Sequence, residues 1–395
     1  MLKTVKVRLY PTKEQKQYLA KSFGCVRWFW NYSLNLTNET YQLTGKGLSR
    51  ADIQGMLPLL KRQEATVWLK EAYSQCLQVV ALNLSNAFIS FFERKTAFPR
   101  FKSKHGKQSL TYPQNVKLEG DKYLKIPKIG LVYAKIHRKI EHSFRTVTIT
   151  KTQTGKYYAS ILFEDGCNQP EVKTEGKAIG IDLGLNHFAI TSDGSKFDNP
   201  KWLARHEHNL KIKQQRLSRR KISSNNRNKA RLAVAKVHEK IALAREDFLH
   251  KLSRRIVNEN QVICVENLNV KGMVKNHNLA KAISQVGWGM FCTMLKYKAE
   301  NEGKVYQEID RFFPSSKTCN VCLNQVRSLT LDIRYWDCSN CGTKHIDRDI
   351  NAAKNIRDEG LRIISCGTRD KAYCPDVRPT KSGRKKSTIT RQSVG

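Results

Sequence analysis

Two pairs of closely spaced cysteines constrain the fold of this chain more than any other feature of its sequence. Cys319 and Cys322 form the first Cys-x-x-Cys pair, and Cys338 and Cys341 form the second after a spacer of 15 residues. This spacing is typical of a tetrahedral zinc site with four thiolate ligands. Because sulfur fills all four positions, none is left for a substrate, and the pattern predicts one structural Zn²⁺ ion.

The net charge of the chain predicts a polyanionic partner. Its 395 residues include 71 Lys and Arg against 34 Asp and Glu, which gives +37. So large an excess repels itself in a folded protein unless a polyanion neutralises it, and nucleic acid is the most obvious one. An anionic membrane is the alternative, but we find neither an apolar run of about 18 residues nor a lipidation signal. With no signal peptide and a metal-type cysteine pattern, we expect a cytoplasmic protein that does not bind a membrane.

Two acidic residues stand at the ends of predicted strands. Asp182 follows the apolar start of AIGIDLGLNHFAITSDG (178–194), which we interpret as two short strands joined by a tight turn. Gly180 and Gly184 leave the backbone bare beside this acid, so that a phosphodiester could come close. Glu266 stands in the same way after the all-apolar segment QVICV. The alternative is that the first acid is a turn residue and the second a solvent-facing strand end.

A third acid lies at a predicted helix start. In HIDRDINAAKNI (345–356), Asp347 and Asp349 precede the apolar face of the helix. Either could simply cap the helix and interact with its dipole. We choose Asp349 as the functional acid because it lies nearer the packed face, two positions before Asn351.

Three carboxylates from three elements suit phosphodiester hydrolysis. Mg²⁺ is a hard ion that prefers oxygen ligands. Two such ions about 4 Å apart can activate water on one side of a phosphodiester and hold the leaving oxygen on the other. We therefore predict that Asp182, Glu266 and Asp349 bind two Mg²⁺ ions and form a catalytic site.

The first half of the chain predicts a β domain that carries a helical insertion. TVKVRLY near the N-terminus alternates as a strand does, and apolar residues then recur at helical spacing from about residue 12 to 95. Further predicted strands follow between residues 123 and 163. Before them, FPRFKSKHGKQSLTYP (98–113) is interpreted as a basic loop that contacts phosphates through Arg100, Lys102 and Lys104.

Residues 201–260 form the most basic segment, with 17 Lys and Arg against five acids. We interpret it as two long helices interrupted at 223–228. A solvated helix normally mixes both signs of charge, so the excess of one sign favours a surface that faces nucleic acid. Arg216, Arg219 and Arg220 are its predicted contacts. The alternative is that the charged face is simply solvated.

The chain resembles the TnpB family, the transposon-encoded RNA-guided DNA nucleases related to the type V CRISPR effectors. The matching segments are VRLYPTKEQ, FPRFKSK, GIDLGLNHFAITSDG, VENLNV, SSKTCNVC and WDCSNCGTKHIDRDINAAKNI. The resemblance implies an α/β multidomain fold, in which an N-terminal wedge-type β-barrel carries a helical recognition insertion. It also implies a split RuvC-type nuclease of the RNase H-like fold with an inserted zinc ribbon. The implied segments are the wedge-type domain (1–11 and 97–170), the helical insertion (12–96), the nuclease (177–313 and 343–365), the zinc-binding target-nucleic-acid domain (314–342) and a basic, disordered tail (366–395).

The resemblance further implies an RNA-guided, metal-dependent DNA endonuclease whose catalytic acids map onto Asp182, Glu266 and Asp349. Its partners would be a guide RNA made from the transposon end and double-stranded DNA with a short motif beside the target. One departure is Leu323, which follows CNVC where the family usually has Gly.

Three other functions are compatible with parts of this pattern. A guide-directed DNA-binding regulator would keep the scaffold and lose cleavage, but all three acidic positions are filled. A DDE-type transposase also uses an RNase H-like fold, although its acids normally run Asp, Asp, Glu. A plain zinc-ribbon binding protein would not need the rest of the chain.

Overall fold

The computed structural model describes residues 1–138, 140, 142–330 and 332–368. The chain forms two compact units, Met1–Gln169 with His206–Ala242, and Pro170–Arg205 with the chain from Leu243 onward. Part of the basic segment therefore groups with the N-terminal unit. The finer division into five segments stays a prediction. The disordered tail predicted for 366–395 is wrong for its first three residues, which belong to the helix Arg348–Thr368, and its other residues lie outside the described part of the chain.

The first unit is built on a seven-stranded antiparallel sheet of order β2-β6-β7-β1-β5-β4-β3. The N-terminal strand pairs with β7 and β5, which confirms that it joins the later strands. Barrel closure stays a prediction. The strands are β1 (Leu2–Tyr10), β2 (Gln108–Tyr112), β3 (Lys117–Glu119), β4 (Tyr123–Ile126), β5 (Gly130–Lys135), β6 (Phe144–Lys151) and β7 (Tyr157–Glu164).

The prediction of a loop over residues 98–113 is wrong at its C-terminal end, because QSLTY (108–112) forms strand β2. Leu110 and Tyr112 are buried at alternate positions there. Burial of every second residue is the signature of a strand with one face on a core. The basic residues that precede β2 masked this short alternation.

Helices inserted between β1 and β2 pack on the same core as the sheet. They are α1 (Lys13–Thr44), α2 (Arg50–Arg62), a 3₁₀ helix (Glu64–Glu71) and α3 (Ser74–Phe92). By length and composition, α3 could cross a membrane, contrary to the expectation of no such apolar run. However, Leu77, Val80 and Leu84 of α3 are buried in the core of this unit. The helical insertion into a β domain is as the sequence predicted.

The second unit contains a mixed five-stranded sheet of order β10-β9-β8-β11-β12. Strands β8, β11 and β12 are parallel to one another, whereas β9 and β10 run antiparallel to their neighbours. A two-stranded ribbon of β13 and β14 stands apart. The strands are β8 (Ala178–Leu183), β9 (His187–Thr191), β10 (Lys196–Asp198), β11 (Val262–Val265), β12 (Val305–Glu308), β13 (Tyr335–Trp336) and β14 (Ile346–Asp347).

In the part of the chain that the structure describes, six helices accompany these strands. The break in the basic segment spans residues 219–224, slightly earlier than predicted. The C-terminal half of α5 and helix α8 cover one face of the five-stranded sheet, and α9 packs on the other. The helices are α4 (Trp202–Ser218), α5 (Asn225–Glu259), α6 (Val270–Met273), α7 (His277–Val286), α8 (Trp288–Asn301) and α9 (Arg348–Thr368).

Helix α9 lies unusually close to the sheet, at positions where a glycine faces its partner. A Cβ on Gly180 of β8 would overlap the carbonyl oxygen of Ala353 and lie 2.6 Å from the amide nitrogen of Arg357. A Cβ on Gly360 of α9 would likewise overlap the side chain of Cys264 in β11. The interpretation of Gly180 from the sequence is therefore wrong, because this glycine makes room for a helix and not for a phosphodiester.

We predict that Gly180→Ala destabilises the second unit by about 3 kcal/mol, because the added methyl group meets helix backbone that cannot move aside. Hydrogen exchange of the α9 amides should become faster in this variant. Gly289→Ala is the matched control, since a Cβ at this position in α8 meets nothing within 4 Å. Equal exchange in both variants would show that α9 does not depend on the close contact.

Candidate active site and metal centre

The register of two parallel strands places Asp182 and Glu266 side by side. Val265 of β11 pairs with Ile181 of β8, so the next residue on each strand is one of the two acids. The backbone amide of Leu183 donates a hydrogen bond of 3.3 Å to Glu266 Oε1. The sequence suggested that Asp182 lies just past its strand, but the structure places it inside β8. Both carboxylates thus stand at the same edge of the sheet.

Helix α9 brings the third acid to this edge, because Asp349 is in its first turn. Burial raises the pKa of Asp182 well above its usual value, and the charges of Glu266 and Asp349 raise it further. Burial also raises the pKa of Glu266. The guanidinium of Arg348, which is buried, acts in the opposite direction on Asp182. Glu266 and Asp349 therefore lie close enough to Asp182 for their charges to act on it, and the three predicted acids form one cluster.

Asp347 has a different environment. Its Oδ1 accepts hydrogen bonds from the amides of Asp349 (3.0 Å) and Ile350 (3.1 Å), which is the geometry of a helix cap. Its Oδ2 lies 2.6 Å from Lys196 Nζ. Because one oxygen accepts from two backbone amides at the helix start, capping is the observed role of this acid.

An arginine from the cysteine-containing segment contacts the third acid. Arg334 Nη1 lies 3.3 Å from Asp349 Oδ1 and 3.2 Å from Oδ2. The backbone of Arg334 also accepts a hydrogen bond from the amide of Arg348. Sequence reasoning did not identify either arginine. The only available signal was their position beside the cysteines and the acid.

The four predicted cysteines come together as a metal site. Their sulfur atoms all lie within 4.8 Å of one another, with Cys319 Sγ 3.8 Å from Cys341 Sγ and Cys322 Sγ 3.6 Å from Cys338 Sγ. A tetrahedral Zn²⁺ with Zn–S bonds of about 2.3 Å requires sulfur separations of about 3.8 Å. The donor set therefore fits Zn²⁺. A hydrogen bond with Thr343 lowers the pKa of Cys341 to about 6, which favours the thiolate.

The departure from the family pattern at Leu323 has a backbone consequence. Leu323 has φ of 61°, in the left-handed region that glycine adopts most easily. Its amide nevertheless donates to the carbonyl of Cys319 at 2.9 Å, so the turn of the first cysteine pair is retained. The leucine is strained by about 1 kcal/mol, and the sulfur geometry is intact.

Two buried asparagines of α9, the helix that carries Asp349, hold the segment of the four cysteines, which we call the zinc-type centre. Asn351 Oδ1 accepts from the backbone amide of Asn320, and Asn351 Nδ2 donates to Thr318 O at 2.7 Å. Asn355 Oδ1 accepts from Asn320 Nδ2, and Asn355 Nδ2 donates to Ser315 O at 2.7 Å. The signal in the sequence was a pair of polar residues, four positions apart, on an otherwise apolar helix face.

The predicted phosphate-binding loop is held against α1. Trp30 Nε1 donates to Arg100 O at 3.0 Å, and Asn31 Nδ2 donates to Lys102 O at 3.0 Å. The ammonium of Lys102 lies 3.6 Å from the centroid of the Trp30 ring, and burial lowers its pKa to about 8. Lys102 is thus engaged within the protein, and its contact with nucleic acid stays a prediction.

Lys104 lines an acid-free pocket of about 390 Å³ in the first unit. Lys151 and Arg231 are the other cations of its wall. The remaining predicted contacts, Arg216, Arg219 and Arg220, lie at the end of α4 or just after it and are exposed. No described contact of these residues tests whether they bind nucleic acid.

Three family models match separate parts of the chain. The model OrfB of IS605, described as "Probable transposase", matches residues 160–277, and the model described as "Cas12f1-like, TNB domain" matches residues 288–356. The second range contains the four cysteines and Asp349. A model described as "Helix-turn-helix domain" matches residues 1–46, where the structure has strand β1 and the single long helix α1.

Two relatives align with the chain over almost their full lengths. A protein of Streptomyces pristinaespiralis, provisionally named an RNA-guided DNA endonuclease, is 36% identical over 383 residues, which cover 96% of this chain and 94% of the relative. InsQ of Escherichia coli K12, provisionally named in the same way, is 28% identical over 382 residues. The alignment covers 93% of this chain and 94% of InsQ.

A solved cryo-EM structure of a Cas12f1–sgRNA–target DNA complex contains a chain of similar fold. The TM-score is 0.53 at 14% identity, and the alignment covers 90% of this chain and 98% of the other. At this identity the likeness concerns the fold alone.

We predict about one tightly bound zinc per chain and loss of that zinc in Cys338→Ser. The segment that carries the cysteines has a small apolar core around Trp336, so the metal supplies much of its folding energy. Metal analysis after dialysis tests this, and protease digestion shows whether the segment loosens. Cys167→Ser, at an exposed free cysteine, should leave zinc unchanged. Less than about half an equivalent of zinc in fresh wild-type protein would contradict the prediction.

Proposed function

The chain belongs to the TnpB family, and from this premise we propose that it is an RNA-guided DNA endonuclease. It takes a guide RNA from the transposon end and cuts target DNA beside a short adjacent motif. We place this activity in the prokaryotic cytoplasm, where the target DNA lies. The zinc ribbon is structural, and the hydrolysis takes place in a RuvC-type site.

The cluster of Asp182, Glu266 and Asp349 is the observation that carries this proposal. Two adjacent parallel strands and the first turn of α9 supply the three carboxylates. Burial and then the charges of the other two acids raise the pKa of Asp182, so the arrangement is unfavourable unless a cation compensates the charge. Oxygen ligands of this kind suit Mg²⁺.

The residues of the chain hold and orient the reacting groups. When bound by these carboxylates, two Mg²⁺ ions would supply an activated water on one side of the phosphodiester and a stabilised leaving oxygen on the other. Glu266 is held by the amide of Leu183, and Arg334 holds both oxygens of Asp349. Fixed carboxylates need no reorganisation when the substrate arrives, which lowers the barrier.

The remaining charge of the protein serves to hold the nucleic acids. In an RNA-guided nuclease, base pairing reads the sequence, and the protein contacts backbone and shape. An excess of 37 positive charges supplies such contacts. We propose that the exposed Arg216, Arg219 and Arg220, together with Arg100 and Lys104, contact phosphates.

A guide-directed regulator without cleavage is the main alternative. It would need no assembled acid cluster, and the cluster is complete in this chain. A DDE-type transposase is less consistent with the acids, because their order along the chain is Asp, Glu, Asp.

We predict that Asp182→Ala, Glu266→Ala and Asp349→Ala each abolish Mg²⁺-dependent DNA cleavage and leave RNA-guided binding largely intact. Removal of a metal ligand eliminates water activation but not the basic surface. Sequencing the RNA that copurifies with the protein gives the guide, and a guide with an exchanged target segment should redirect the cut. Cleavage and binding of labelled plasmid DNA are then measured for each variant.

Asp347→Ala is the matched control for the third acid. It removes a helix cap, which costs roughly 1 kcal/mol of stability, and should reduce cleavage less than Asp349→Ala does. The reverse order would show that the wrong acid was assigned. Full cleavage by all three acid variants would refute the proposed site, and a cut that ignores the exchanged guide would refute RNA guidance.

A further inference from the structure

The solvent-facing side of the first unit's sheet carries a row of three tyrosines. Tyr10 of β1 pairs in register with Tyr133 of β5, and Tyr133 pairs with Tyr123 of β4. Their ring centroids are 5.6 Å and 5.8 Å apart, so the rings touch across three neighbouring strands. The exposed fractions are 49%, 41% and 44% for Tyr10, Tyr133 and Tyr123. The opposite faces of these strands are buried in the core.

Positive charge surrounds this row of tyrosines. On β1, β5, β4 and β3 the alternation of side chains puts five cations on the tyrosine face and one acid, Glu119, which pairs with Lys125 at 3.5 Å. The same face of β7 ends in a second acid, Glu164, which pairs with Arg145. The guanidinium of Arg8 lies 5.4 Å from the Tyr10 ring and 5.1 Å from the Tyr158 ring. The five cations are Lys6, Arg8, Lys117, Lys125 and Lys135.

The composition of the face changes along the sheet. On β7 the same face carries Tyr158, Ser160, Leu162 and Glu164, and on β6 and β2 it carries mainly threonines, of which Thr111 and Thr148 are hydrogen-bonded at 3.1 Å. The turn that follows β6 is engaged by α5, where Glu239 accepts from Thr154 and pairs with Lys156. The cations and half-exposed tyrosine rings of this face are therefore concentrated on β1, β5, β4 and β3.

We propose that Tyr10, Tyr133 and Tyr123 form a platform on which unpaired bases of the guide RNA stack. Every base has a π-face, so aromatic side chains on a sheet bind single strands with little sequence preference. Lys125, Lys135 and the other cations of the face would hold the phosphates between the stacked bases.

The occupant is RNA and not target DNA because of where the acids lie. The strand to be cut must reach Asp182, Glu266 and Asp349, and none of these acids lies on β1, β5, β4 or β3. The guide is retained without being cut and therefore needs a binding surface without catalytic acids. This inference rests on the proposed function, since it presumes a guide RNA.

A cross-strand tyrosine ladder could also serve only to stabilise the sheet. The two roles predict different results. A purely structural ladder requires the rings for folding but not for RNA binding, whereas a platform requires the rings for RNA affinity even in a fully folded protein.

The test compares two triple variants of the full chain. The first is Tyr10→Ala with Tyr123→Ala and Tyr133→Ala, and the second replaces the same residues by Phe. Tyr41→Ala is the control, because Tyr41 is an exposed tyrosine on α1 and not on the sheet. The probe is the RNA extracted from the wild-type complex, labelled and rebound to RNA-free protein. Single-stranded DNA of the same sequence is the second probe, and thermal unfolding is recorded for each protein.

We expect the Ala variant to bind the RNA at least about tenfold more weakly, because stacking on three rings is lost. The Phe variant and Tyr41→Ala should bind within about twofold of wild type, because they keep the rings of the platform. The slope of affinity against salt should stay the same, since the phosphate contacts remain.

Unchanged RNA affinity in a folded Ala variant would overturn the proposal. Loss of affinity for the DNA probe alone would also overturn it, because the platform would then hold a DNA strand. If the Ala variant does not fold, single Tyr133→Leu decides, since leucine keeps apolar bulk without a ring: affinity within about twofold of wild type refutes stacking, and a loss of about threefold or more supports it. Wild-type cleavage directed by an exchanged guide is measured in parallel, so failure of the platform is distinguished from failure of the proposed function.

Discussion

The close contact between α9 and strands β8 and β11 is the constraint on which the second unit depends. Glycines at positions 180 and 360 remove the side chains that would hold the helix away from the sheet. The first turn of α9 then reaches the sheet edge that carries Asp182 near the end of β8 and Glu266 just after β11. The buried asparagines of the same helix fix the cysteine segment. One helix therefore links the sheet, the acid cluster and the zinc-type centre.

The acid cluster lowers the stability of the protein without a metal, but it forms a site that can bind cations without rearrangement. Burial and the neighbouring carboxylates raise the pKa of Asp182, and buried Arg348 offsets only part of that effect. Like charges held together are unfavourable in the protein alone and become favourable when a divalent cation neutralises them. The rigid helix and sheet supply the energy that keeps the carboxylates together. The zinc-type centre has the opposite design, because its thiolates have no place for a substrate and serve only to fold the segment.

Sequence reasoning located the chemistry better than the architecture that supports it. The four cysteines and the placement of Asp182 and Glu266 beside apolar strands could be predicted, because each follows from a local pattern: ligand spacing, or an acid after an apolar strand. Their side-by-side position depends on the pairing of β8 with β11. The reason for Gly180 could not, since it depends on α9, which lies more than 160 residues away in the chain. Strand β2 and the roles of Asn351, Asn355 and Arg334 were missed for the same reason, because their partners are set by tertiary contacts.

Binding of Mn²⁺, a spectroscopic substitute for Mg²⁺, tests most directly whether α9 completes a metal site at the sheet edge. Electron paramagnetic resonance of free Mn²⁺ gives the affinity of zinc-loaded protein without nucleic acid or turnover. We expect Asp349→Asn to weaken binding at least about tenfold relative to wild type, and Asp347→Asn to stay within about threefold, because only the former loses a ligand. Equal binding by wild type and Asp349→Asn, with zinc retained in both, would contradict the account.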